Sequence, residues 1–186
     1  ARRAFRRAAT DEDVGKLMPY FHNGRKEVGN FDGGVEFLVT AVLTSPDFLY
    51  PGIKPQPDAG DKPFRLTDVE LASRLSFFLW SDMPDDELLD IAIDGKLSGR
   101  GVLDAQVRRM LKDPKAYSLV KNFAMRWLNV DDLDAVDPDP RLFPGFTEQM
   151  RRDFTNEIEL FLESVFSADQ SVLRLVDGDY TFLNER

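Results

Sequence analysis

Apolar residues return every three or four positions along most of this chain, and a polar cap stands where many of these runs begin. The segment 67–80, TDVELASRLSFFLW, shows both features. Thr67 and Glu70 have the spacing of a capping box: the Thr hydroxyl takes the amide three residues on, and the Glu side chain reaches back. Behind them Leu71, Leu75, Phe78 and Leu79 fall on one helical face, which Phe77 and Trp80 widen into a buried one. Alternating strand patterns are scarce. The residues therefore predict an all-α fold, an irregular multi-helix bundle of about seven to nine helices.

Punctuation divides the rest. Arg2, Arg3, Arg6 and Arg7 at helical spacing, with Ala1, Ala4, Phe5, Ala8 and Ala9, predict a short amphipathic helix. Thr10 caps a second, acidic in its first turn, with Val14, Leu17, Met18 and Phe21 as its stripe; Pro19 can kink it and HNGR at 22–25 ends it. A third starts at Asp32 and stops at Ser45-Pro46. Residues 51–63 hold four Pro and two Gly, the composition of an extended connector. Beyond it come a helix near Pro84 ending at Gly95, one through Leu103–Leu111, and one opened by Pro114. The face of that last helix carries Leu119, Val120, Phe123, Ala124, Trp127 and Leu128. An acidic loop anchored by Leu142, Phe143 and Phe146 leads to the longest helix, capped by Thr147. Three parts result: an N-terminal helical segment over 1–50, a Pro-rich connector over 51–66, and a main helical domain over 67–186.

Charge narrows the partners. Four Arg and no acid occupy residues 1–9, while the other 177 residues carry 20 basic and 33 acidic side chains. Phosphate repulsion argues against a nucleic-acid groove on such a chain. The arginines read as ion-pair partners for this acidity or for a neighbouring domain. No apolar run is long enough to span a membrane, so none is expected here. With no Cys there is no disulfide, thiolate metal site or covalent haem attachment within these residues.

Several residues have the right chemistry for a site, each with a plainer reading. His22 is the single histidine and reads as a surface or capping residue rather than a base or haem ligand. Glu159 and Glu163 share a face at i, i+4 and Glu157 points elsewhere. Such acids can hold a hard cation, yet they also suit the solvated flank of an amphipathic helix. Five Asp in DDLDAVDPDPR lack the Gly and terminal Glu of an EF-hand loop. Glu159 with an Asp of 131–139 is a possible hydrolytic pair. Trp80 and Trp127 read as core. No catalytic, cofactor-binding or metal-binding residue is assigned.

The order of longer strings adds a resemblance. RAFRR, LTSPDFLY, ELASRLSFFLW, PDDELL, QVRRMLKDPKA, NFAMRWL, FPGF and DYTFLNER follow one another as in the bacterial family called domain of unknown function 1592. They are preceded by the end of its usual companion, domain of unknown function 1595. The resemblance covers nearly the whole chain; Pro51 departs from it where Arg is more usual. It implies a piece of a larger multidomain protein of planctomycetes, verrucomicrobia, myxobacteria and relatives, in keeping with ends that look internal. It implies extracytoplasmic, periplasmic or cell-surface, location. It also implies association with a c-type cytochrome module elsewhere in the parent protein, with no cofactor in this segment. The expected role is to position that haem module in a redox process; the alternative is a non-catalytic module for polysaccharide binding or envelope assembly. The resemblance carries no catalytic residues.

Overall fold

The computed structural model describes residues 2–50 and 63–184. Within them the chain is all-α, with no β-strand among the described residues. Most of the expected Pro-rich connector, residues 51–62, lies outside the described part. Contacts divide the chain into two units, residues 1–77 with 82–103, and residues 78–81 with 104–186.

The first unit begins with α1 (Arg2–Phe5), α2 (Asp11–Val28), α3 (Phe31–Leu43) and α4 (Pro46–Leu49). Thr10 caps α2 as its sequence predicts: its hydroxyl accepts from the Asp13 amide at 3.2 Å, and Asp13 accepts from the Thr10 amide at 2.9 Å. HNGR does not end this helix. It continues through Pro19 and Asn23-Gly24 to Val28, and Gly29 closes it at φ 86°. Gly24 is not a terminator because its missing side chain is what lets α3 approach. A Cβ there would lie 2.3 Å from the Gly33 carbonyl oxygen and 2.8 Å from Phe37 Cβ. Asn30 caps α3, accepting from the Gly33 amide at 2.8 Å.

The N-terminal arginines find partners within this unit. Arg2 and Arg3 pair with Asp86 and Asp90 of α6 (Asp86–Ile93). Arg6 is buried; it donates to the Asp47 and Phe48 carbonyls at 2.8 and 3.0 Å, and its guanidinium lies 5.8 Å from the Phe77 ring centroid. It thus satisfies carbonyls that a four-residue helix cannot satisfy itself. Val42, Ala72, Leu88, Leu89, Ala92 and Leu97 are buried apolar residues of this unit. The helix α5 (Asp68–Trp80) opens with the predicted Thr67–Glu70 capping box. Asp85 caps α6, accepting from the Leu88 amide at 2.9 Å.

Arg7 grips Asp13 with both terminal nitrogens, at 2.6 and 2.8 Å. That guanidinium, helped by the Thr10 amide, holds the Asp13 carboxyl well below the usual carboxylate range. The unfolded chain therefore binds this proton at higher pH than the folded one. The stabilisation is complete above the ordinary Asp pKa of about 4 and is lost as pH falls further. The thermal midpoint of the wild-type chain is expected to drop between about pH 5 and pH 3, and Asp13→Asn should flatten that slope while lowering stability at neutral pH. Melting curves across this range check it; equal slopes in the two proteins would refute it.

The second unit contains α7 (Val102–Leu111) from residue 104, a 3₁₀ turn over Pro114–Ala116, a π-helical stretch over Leu119–Ala124 and α8 (Met125–Trp127). A second 3₁₀ turn (Asp131–Ala135), α9 (Glu148–Ser167) and α10 (Arg174–Asp177) follow. Thr147 caps α9, accepting from the Met150 amide at 3.2 Å. Val120, Ala124, Met125 and Leu162 form a buried cluster edged by Val130, Ile158, Phe166 and Leu175. Leu142 and Phe143 are not the expected anchors: they are 73% and 59% exposed. Arg151 holds the loop instead. It is buried, donates to the Leu133 carbonyl, and stands 5.2 Å from the ring centroid of Phe146, which packs on Phe154.

Candidate functional site

The most distinctive piece of backbone is the stretch from Pro114 to Asn129. Asp113 caps the 3₁₀ turn, accepting from the Lys115 amide at 2.8 Å. From Leu119 the chain widens to i→i+5 hydrogen bonding, with the Met125 amide donating to the Val120 carbonyl. The buried residues are Leu119, Val120, Ala124 and Met125, two pairs five positions apart. A regular α-helix would instead bury Phe123 and Trp127 with Leu119 and Val120. They are exposed, at 41% and 62%. The core reading of Trp127 therefore fails, because it assumed 3.6 residues per turn where the helix has a wider one. Trp80 does belong to the core, with its indole N–H on the Met110 carbonyl at 2.9 Å.

Two surfaces result from the π turn. On one, Phe78 meets Phe123 edge-on at 5.3 Å, and Phe123 lies nearly parallel to Trp127 at 6.1 Å. With Leu128 these side chains form an exposed apolar face. On the other, the Tyr117 hydroxyl donates to the Glu159 carboxylate. Lys121 Nζ is 3.5 Å from the second Glu159 oxygen and 5.6 Å from the Tyr117 ring centroid. Burial, then the hydrogen bond to Glu159 and the charges of Glu159 and Glu163, pushes the Tyr117 phenol up to about 12. Tyr117 is thus a protonated donor at neutral pH, unsuited to act as a base.

Two cavities adjoin these groups. One of about 450 Å³ is lined by Leu111, Tyr117, Val120, Glu163 and Phe166. The other, about 440 Å³, is walled by Lys121, Asn122, Arg126, Thr155 and Glu159 over Met125. Removing the Tyr117 hydroxyl should take a hydrogen bond from Glu159 without unfolding the unit: Tyr117→Phe is expected to cost about 1 kcal/mol, read by urea denaturation. Double-mutant analysis with Glu159→Gln should give less than the sum of the single losses, because both changes remove one interaction.

The structure separates the three acids considered in the sequence. Glu159 is mostly covered and paired with Tyr117 and Lys121. Glu163 is exposed and edges the first cavity, and Glu157 accepts from Thr181 in the segment that follows α10. His22 sits within α2, exposed, with its ring edge against Phe21. Among the described residues no three His, Cys, Asp or Glu side chains gather to hold a metal ion. Asp139 is tied to Arg141 by hydrogen bonds of 2.8 to 3.1 Å. Tyr117, Lys121, Asn122, Arg126 and Thr155 escaped the sequence reading. The signal that could have found the turn is LVKNFAM, whose buried pairs Leu119–Ala124 and Val120–Met125 recur at five rather than four.

The described residues contain no helix long and apolar enough to cross a membrane. Comparison with curated proteins and with solved structures found no match. Two family models do match. Residues 1–51 match PSD5, described as a protein of unknown function (DUF1595), and residues 66–186 match PSD4, described as a protein of unknown function (DUF1592). Since the second match takes in well over half of the chain, from the Thr67 cap through the π turn to the end of α9 and beyond, the chain belongs to the DUF1592 family.

Proposed function

We propose that this chain is the helical, non-haem part of an extracytoplasmic cytochrome-c-associated protein, and that its second unit docks a c-type haem module of the same polypeptide in a redox process. The observation that supports this is the exposed face of Phe78, Phe123, Trp127 and Leu128. Aromatic side chains brought together at a surface favour association, and Trp is prominent among residues that dominate binding energy.

The residues of this chain do not fit covalent haem attachment, which needs a Cys-x-x-Cys-His string; the sequence has no Cys. A bound haem module would supply electron transfer. What Phe123 and Trp127 contribute is apolar area that orients the module and excludes water from the contact.

The full-length protein, matured with its haem, provides the test. Its reduced spectrum is expected to show a c-type haem band; a protein without haem would sink the cytochrome reading. Joint Phe123→Ala and Trp127→Ala substitution should speed proteolytic release of the haem module at least tenfold. An unchanged rate would show that this face does not dock it.

A further inference from the structure

The 450 Å³ cavity of the second unit lies between the end of α7, the 3₁₀ turn at Pro114 and α9, and the docking face takes no part in its lining. Its charges set it apart. Glu159, near by, is matched by Tyr117 and Lys121, and Asp113 is engaged in capping the Lys115 amide. Lys112 and Glu163 are not matched. They line the cavity from two elements, the end of α7 and α9, and among the described residues neither charged group has an ion pair or hydrogen bond. The Glu163 charge is felt at the Tyr117 phenol, which sets the carboxylate on the cavity side of α9.

The other lining groups accept or pack. Ser167, one turn after Glu163, donates its hydroxyl proton to the Glu163 carbonyl at 2.6 Å, which leaves its oxygen to accept. Tyr117 has likewise given its proton to Glu159 and keeps an oxygen lone pair. Leu111, Val120 and Phe166 supply apolar surface. One cation, one anion and a greasy wall therefore border a single space.

We infer that this cavity binds a free α-amino acid with a bulky apolar side chain. Glu163 and Ser167 take its ammonium, Lys112 takes its carboxylate, and Leu111, Val120 and Phe166 cover its side chain. An ammonium has three donors and no acceptor, which suits a carboxylate beside hydroxyl oxygens. A single exposed ion pair contributes only about 0–1 kcal/mol, so neither charge selects a ligand alone. A zwitterion engages both at once while its side chain leaves water. The interior of a peptide carries neither charge on its backbone, so the free amino acid is the matching form. The volume falls in the ordinary range of small-ligand sites, about 300–1,000 Å³. This inference does not depend on the haem-module reading.

Titration calorimetry of the 186-residue chain with L-phenylalanine, L-leucine, L-phenylalaninamide, N-acetyl-L-phenylalanine and glycine tests it. Phenylalanine or leucine is expected to bind at least tenfold more tightly than the amide, which lacks the carboxylate, the acetylated form, which lacks the ammonium, and glycine, which lacks the side chain. Lys112→Met and Glu163→Gln should each weaken that binding at least tenfold while leaving helical content and melting temperature near wild type. Lys112→Met should not change the affinity for phenylalaninamide, nor Glu163→Gln that for N-acetyl-L-phenylalanine. Trp127→Ala should leave the amino-acid affinity unchanged, which separates this site from the docking face. Absence of binding by both amino acids, equal binding of any of the three truncated ligands, or indifference to Lys112→Met or to Glu163→Gln would each overturn the proposal.

Discussion

Trp80→Ala is expected to lower the unfolding free energy of the second unit by about 4 kcal/mol. The indole is 4% exposed, and its N–H is the hydrogen-bond donor to the Met110 carbonyl at 2.9 Å. Arg109 and Lys115 approach its ring, with charged atoms 5.6 and 5.3 Å from the centroid. Truncation leaves a cavity, strips a buried carbonyl of this donor, and removes the surface on which two cations rest. Trp80→Phe keeps most of the apolar volume and loses the donor, so its cost should be nearer 2 kcal/mol. Urea denaturation followed by circular dichroism measures both. If Trp80→Ala costs under 1 kcal/mol, the ring is not a core element. Fluorescence adds an independent check, since exposed Trp127 is the other indole: removing Trp80 should shift the remaining emission to the red.

The second large effect is expected from a single added methyl group. Gly24→Ala should destabilise the first unit by about 3 kcal/mol, at the upper end of ordinary overpacking. Helix propensity pulls the other way, favouring Ala over Gly by about 1 kcal/mol. Sterics win because the nearest atom to the new Cβ is the Gly33 carbonyl oxygen at 2.3 Å, a backbone atom that moves only if α2 and α3 separate. Gly33 and Gly34 are equally tight on the facing helix: their added Cβ atoms would meet Val28 at 2.4 Å and Arg25 at 2.6 Å. Gly15, in the same α2, is the control. Nothing lies within 4 Å of its Cβ position, so Gly15→Ala should stabilise by about 0.5–1 kcal/mol. Opposite signs for two Gly→Ala changes in one helix are the expected result of denaturant titration; matching signs would remove the close α2–α3 approach as the explanation.

These two cases show where local reading works and where it stops. Thr10, Thr67 and Thr147 are legible as caps because the cap and its partner are three residues apart, within reach before any tertiary structure forms. The basic start of the chain is legible as a source of ion pairs, although nothing local selects Asp13, Asp86 and Asp90 as its partners. Asn23-Gly24 misleads because the same dipeptide suits a turn and a close helix crossing; α3 decides between them. Leu142 and Phe143 look like anchors by their chemistry and lie in solvent, while Arg151, polar by type, does the anchoring.

By itself, then, the sequence determined an all-α protein, most of its helix starts, and its family, since these depend on neighbours three to five positions apart and on the order of long strings. Tertiary structure decided which faces are covered. The helical repeat is not constant: between Leu119 and Ala124 the ladder widens by one residue, burying Met125 and turning Phe123 and Trp127 outward. Lys121 and Arg126 line one cavity, and there Lys121 meets Glu159, which lies far along the chain. A side chain's surroundings come from elements distant in sequence, and a single change of register in one helix redirects every residue after it.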